Sequence, residues 1–172
     1  MKDLHRVSLD AAKVLRLLPP YPVVLVTTGS NIITINQVAY FTFAPLRLGI
    51  GVAQTRYTHG LLKTERAFVI NVPDASLLNA VRLCGSVSGR EVDKFAAAGL
   101  TRCPALKLPA AGIGECGAQI ECQVDREMAF EERTWFIGPV VAAQQREGHT
   151  GAAALTCGRE AYRLPGDLVT PR

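Results

Sequence analysis

Two short apolar runs joined by two small residues constrain this chain more than any other feature. Val23-Val24-Leu25-Val26-Thr27-Thr28 is β-branched and apolar at consecutive positions, the pattern of a buried strand. Gly29-Ser30 follows, and Asn31-Ile32-Ile33-Thr34-Ile35 opens a second run. A two-residue spacer with Gly in the first position predicts a tight hairpin. Leu46 to Val52 alternates apolar residues with Gly and reads as another strand, with close backbone approach at the glycines. Ala67 to Val72 is a further strand stopped by Pro73, and strands are expected over 116–126, 133–144 and 161–164. Helical stretches are short. Residues 8–18 have apolar positions at helical spacing and end at Pro19-Pro20. Asp74 can cap a helix over 75–83, and Asp93 to Ala98 is a turn or two closed by Gly99. A short helix is expected through Leu61-Leu62, Asn36 to Ala44 is irregular and aromatic, and 101–113 is irregular and Pro-rich.

Many short strands with small helical insertions predict a mainly β, α+β fold rather than a doubly wound sheet. With 172 residues, 48% of them apolar, the chain can bury a core without disulfides or metals, and one domain over 1–172 is expected. It carries 19 basic against 15 acidic residues, net +4, with no basic stripe interleaved with aromatics, so no nucleic-acid partner is expected. The absence of a long apolar window or an export signal leads to the expectation of a cytoplasmic protein without a membrane span. Five cysteines, none in a C-x-x-C pair, and three scattered histidines predict reduced thiols and no metal site. Cys116 and Cys122, six apart on an expected strand, would share a face. His59 and His149 have no evident acid–base partner, and no nucleophile motif, P-loop or G-x-G-x-x-G is present.

Two polar segments can hold an anion. Gln54-Thr55-Arg56-Tyr57-Thr58-His59 leads from a strand into a helix, and joins hydroxyls, a guanidinium fork and free helix N–H groups. A surface loop with a helix cap would show the same spacing. Ser86-Val87-Ser88-Gly89-Arg90, followed by Asp93-Lys94, combines close backbone approach with a point charge, as would an ordinary flexible loop. The aromatic stretch from Asn36 to Phe43 could border a flat heterocycle, or serve as core or subunit interface.

The order Val24-Leu25-Val26-Thr27-Thr28, Asn31-Ile32-Ile33-Thr34, Thr55-Arg56-Tyr57-Thr58, Phe68-Val69-Ile70-Asn71-Val72-Pro73 and Phe136-Ile137-Gly138-Pro139 resembles the flavin reductase-like family of FMN-binding split barrels. The most specific piece is Cys84-Gly85-x-x-Ser88-Gly89-Arg90-x-x-Asp93-Lys94-Phe95, and the likeness spans roughly residues 20–165. The resemblance implies a six-stranded Greek-key split β-barrel with short helical insertions, assembled as a homodimer. It implies FMN as cofactor, with Gln54, Thr55, Arg56, Thr58 and His59 on its phosphate and ribityl chain. Asn36, Gln37 and Val38 would border the isoalloxazine, and Ser88, Gly89 and Lys94 would close the other side. The implied activity is that of an NAD(P)H-dependent flavin reductase passing electrons to a flavin, a metal or a redox partner protein. The alternative is an FMN-binding electron carrier of flavoredoxin type without its own NAD(P)H activity.

Overall fold

The computed structural model describes residues 18–149, 155–156 and 162–163. The helix expected over 8–18 lies, apart from Leu18, outside the described residues, as do Cys157 and His5. The elements run β1 (Tyr21–Pro22), β2 (Val24–Thr28), β3 (Asn31–Ile35), β4 (Val38–Phe43), β5 (Leu46–Ala53), α1 (Tyr57–Glu65) and β6 (Ala67–Val72). A 3-10 turn (Ala75–Leu77) follows, then α2 (Leu78–Ser86), α3 (Lys94–Ala98), β7 (Arg102–Pro104), β8 (Ala111–Ile113) and β9 (Ala118–Gln123). The last are β10 (Arg126–Ala129), β11 (Arg133–Gln145), β12 (Leu155–Thr156) and β13 (Tyr162–Arg163).

One antiparallel sheet of eight strands carries the fold, in the order β3-β2-β6-β9-β11-β5-β4, with β10 on β11. β3 and β4 follow each other in sequence yet sit at opposite ends of that order, so the sheet curls and leaves an open seam between its two edge strands. Gly51 N donates to Gln37 O at 2.9 Å beside that seam, extending the β4–β5 pairing by one residue. The result is the split barrel that the resemblance implies, with eight strands in the sheet rather than six, and β11 is its corner. Its first half pairs with β5, its second half with β9, and a register shift between Val140 and Ala142 marks the bend. No helix among the described residues is long and apolar enough to cross a membrane.

The hairpin forms as its residues dictate. Thr28 pairs with Asn31, and Gly29 takes φ +53° in the first loop position, which costs glycine nothing. β2 is buried throughout because both its faces are covered. Val24 and Val26 point into the barrel with Ile33, Ile35, Ile50, Phe68, Ile70 and Phe136, and Leu62 of α1 joins them. Val23 and Leu25 point outward, under Ala80, Val81 and Cys84 of α2 and Phe95 of α3. Cys122 belongs to the inner cluster and Cys116 to the outer one, so the two thiols do not share a face; Cys116 precedes β9 rather than lying on it.

Three other expectations are revised. The aromatic stretch is strand β4, and its Tyr40, Phe41, Thr42 and Phe43 are all exposed. Gly85 and Ser86 end α2 instead of starting a loop. The Pro-rich stretch contains the paired strands β7 and β8. Its connecting loop is held by a buried carboxylate: Glu121 accepts from the backbone N–H groups of Leu106, Lys107 and Leu108 at 2.5, 2.9 and 3.0 Å. Polar backbone that no strand satisfies is thus satisfied by a side chain, which sequence spacing alone does not reveal.

Two glycines make opposite predictions. A Cβ on Gly138 of β11 would collide with the carbonyl oxygen of Gln123, a backbone atom that cannot swing away. A Cβ on Gly60 of α1 meets nothing within 4 Å. Gly138→Ala should cost about 1–3 kcal/mol through overpacking, and Gly60→Ala should gain about 0.5–1 kcal/mol through helix propensity. Urea denaturation of both variants checks the signs.

Candidate functional site

A cavity of about 400 Å³ opens between α1, α2 and the loop leading to α3. It joins the two polar segments that the sequence keeps apart. Thr55, Arg56, Tyr57 and Thr58 form one wall, and Ser86, Val87, Ser88, Gly89, Arg90 and Lys94 form the other, with Asn31 and Ile33 of β3 between them.

The first wall is a helix N-terminus without a side-chain cap. Arg56 is the N-cap residue of α1, makes no capping bond, and no acidic residue follows in the first turn. Free N–H groups and the positive end of the helix dipole therefore remain available to an anion. Opposite stands Lys94, only 4% exposed. Its Nζ donates to Ile32 O and Cys84 O, both at 2.8 Å. Burial pushes the Lys94 ammonium below its ordinary value; the nearby Cys84 thiol opposes this shift and the Arg56 charge adds to it. Arg90 lies with its guanidinium carbon 5.3 Å from the centre of the Tyr57 ring. Glu91, an exposed residue, is the single carboxylate among the lining residues.

The loop segment approaches closely because Gly89 lacks a side chain. A Cβ there would collide with Asn31 Oδ1 and touch the Tyr57 ring. Asn31 Nδ2 donates to Thr58 Oγ1 at 2.8 Å, while its buried Oδ1 has no partner. Asn31, like Ile33 beside it on β3, is a lining residue that sequence reasoning did not place at the site. The signal at Asn31 was one amide at the head of an Ile-rich strand, directly after the turn. Asp93 accepts from Phe95 N at 3.0 Å and starts α3, which sets Lys94 at the cavity.

Thr55, Arg56, Thr58, Ser88, Gly89 and Lys94 of the expected site are thus brought together. Five expected residues lie elsewhere. Gln54 Nε2 donates to Phe130 O at 3.0 Å, away from the cavity lining. His59 is buried under α1, with Nε2 3.0 Å from Thr134 Oγ1 and its ring edge-on to Phe136. Asn36, Gln37 and Val38 occupy the seam before and at the start of β4. There Gln37 Oε1 accepts from Arg133 Nη1 at 2.7 Å and sits where a Cβ on Gly51 would be.

A flavin reductase like domain is matched over residues 17–165. An uncharacterized protein of Archaeoglobus fulgidus is 32% identical over 135 residues, covering 77% of this chain and 76% of that protein. Among solved structures, flavoredoxin from Methanosarcina acetivorans superposes with a TM-score of 0.85 at 23% identity, covering 98% of this chain and 95% of that one. An FMN-binding protein from Thermus thermophilus with bound 1-cyclohex-2-enone gives 0.84 at 23% identity, over 99% and 100%. At such identities these two structures speak for the fold. The domain match carries the classification: the chain belongs to the flavin reductase-like family.

The residues present fit a phosphorylated cofactor. An uncapped helix start, the cations Arg56 and Lys94 with no ion pair among the described residues, a glycine approach and an orphaned amide oxygen meet in one cavity.

His59 generates a pH prediction. Burial, then the Lys63 charge, lowers its pKa below 6.5, and Glu127 only partly opposes them. The folded state therefore favours neutral imidazole, and as pH falls through about 6.5 the unfolded chain binds the proton first. Stability is full above that pH and declines below it. The urea midpoint should fall more between pH 7.5 and 5.5 in the wild type than in His59→Gln. Equal declines refute this.

Proposed function

We propose that the cavity holds FMN by its phosphate and that the protein is an FMN-dependent oxidoreductase of the flavin reductase type. The observation that carries this reading is the pairing of the uncapped α1 start at Arg56 with the buried Lys94 ammonium across one cavity. When bound, FMN supplies the redox chemistry, accepting a hydride from NADH or NADPH and releasing electrons to an acceptor. The chain's own work is binding and orientation. Arg56 and the first-turn N–H groups of α1 hold the phosphate oxygens, and Thr55 and Thr58 add hydroxyls. Lys94 contributes a charge whose position is set by two backbone carbonyls rather than by a mobile stem. Ser88 and Gly89 bring the facing backbone into reach. No lining side chain has to move a proton, which matches the lack of an acid–base pair around His59.

Purified protein should carry or take up FMN rather than FAD, and reduced nicotinamide should bleach the oxidised flavin absorbance in stopped flow. Arg56→Ala should weaken FMN about tenfold or more, the worth of one charge-assisted hydrogen bond. Unchanged FMN affinity in that variant removes the phosphate role. Flavin that binds but stays oxidised with both NADH and NADPH identifies an electron carrier instead.

The same reading includes a homodimer. Tyr40 and Phe43 on β4 are 64% and 76% exposed, with Phe41, Leu46, Met128 and Phe130 also exposed. An aromatic edge strand of this kind is a surface that proteins cover, and a second copy of the chain is the cover we propose. The Asn36–Val38 segment lies at its foot. Sedimentation should give a dimer, and Phe43→Asp should shift it toward monomer. A monomeric wild type sinks this part of the reading.

A further inference from the structure

Arg56, Arg90 and Lys94 all line the cavity, and the phosphate proposed above employs only two of them. Lys94 is buried, and Arg56 stands near enough to act on it as a charge. Arg90 is placed differently. It lines the cavity yet is exposed, so it stands where the cavity meets solvent. Its guanidinium carbon lies 5.3 Å from the centre of the Tyr57 ring, and its backbone N–H donates to Ser88 Oγ at 3.3 Å. Gly89 lets the loop come this close, because a Cβ there would touch the same ring. A guanidinium set on an aromatic face keeps its other face and its edge donors open. No carboxylate pairs with Arg90 among the described residues. The open fork matches the oxygens of a phosphate monoester, and the open face matches a flat purine.

We infer that Arg90 is a specificity-determining residue, which binds the 2′-phosphate of NADPH and so selects NADPH over NADH. The inference rests on the flavin reductase reading above and names its electron donor. NADPH carries a phosphate on the ribose of its adenosine, where NADH has a hydroxyl, and an arginine is the side chain that accommodates it. The rival is Glu91, since a carboxylate bonds the ribose hydroxyl and favours NADH. Geometry decides for Arg90: Tyr57 holds its guanidinium at the cavity mouth, whereas no hydrogen bond or ion pair among the described residues holds the Glu91 side chain.

The test titrates FMN-loaded protein with NADP+ and NAD+ in a calorimeter, so that no flavin is reduced. The wild type should bind NADP+ about tenfold or more tighter, the worth of one charge-assisted hydrogen bond. In Arg90→Leu the gap should close to about twofold or less, with FMN and NAD+ affinities held. Arg90→Lys keeps the charge without the fork and should keep only part of the gap. Equal binding of the two nucleotides by the wild type, or tighter NAD+, overturns this inference alone. So does a gap that survives in Arg90→Leu. A loss of FMN affinity in that variant assigns Arg90 to the flavin phosphate and overturns it too. Absence of binding by either nucleotide overturns the reductase reading, and this one with it.

Discussion

The buried ammonium of Lys94 ties together the parts of the molecule that make the cavity. Taking a charged nitrogen out of water is costly unless its donors are satisfied. Here two of them reach the carbonyl of Ile32, on the hairpin, and the carbonyl of Cys84, in the last turn of α2. The second is one of the C-terminal carbonyls that a helix cannot satisfy by itself, and a cation is favoured at that end of the dipole. One side chain therefore joins sheet, α2 and the start of α3. The neighbouring Asp93 caps α3 and so fixes where Lys94 emerges. The most specific stretch of the sequence, from Cys84 to Phe95, is in this sense a structural unit before it is a ligand site. The Cys84 side chain and Phe95 pack into the outer core, while Gly89 and Lys94 reach the cavity.

That arrangement leaves positive charge in excess. Arg56 stands near enough to depress the Lys94 pKa, and neither is paired with a carboxylate among the described residues. The folded state carries this repulsion as a standing cost, which an anion bound as proposed would relieve. On the proposed FMN site, ligand affinity and fold stability would be coupled through the same two side chains. The Cys84 thiol beside them is pushed up to about 11 by burial, so it stays neutral and adds no charge of its own.

The polar corner after β5 shows how contiguity in sequence misleads. Gln54 to His59 is six consecutive polar residues, and reading them as one loop assigns them one role. The helix in fact begins at Tyr57, so its turn carries His59 under α1 to Thr134 while Arg56 and Thr58 stay at the cavity. Gln54 goes to the β10 side of the sheet, where it bonds Phe130 O. Likewise the seam residues around Gln37 are committed to Gly51 and Arg133, contacts 14 and 96 positions away. No local pattern announces them.

What the residues determined unaided was local: the β2–β3 hairpin from its Gly-Ser turn, the extent of β6, the cap at Asp74, the stop at Gly99, and the polar character of two loop segments. These follow from propensity and hydrogen bonding within a few positions. The meeting of those segments, the burial of Lys94, the orphaned oxygen of Asn31 and the clamp by Glu121 were decided only when the sheet curled. Each depends on groups brought together across the fold, where exclusion of water, rather than neighbouring sequence, sets what a polar atom can bond.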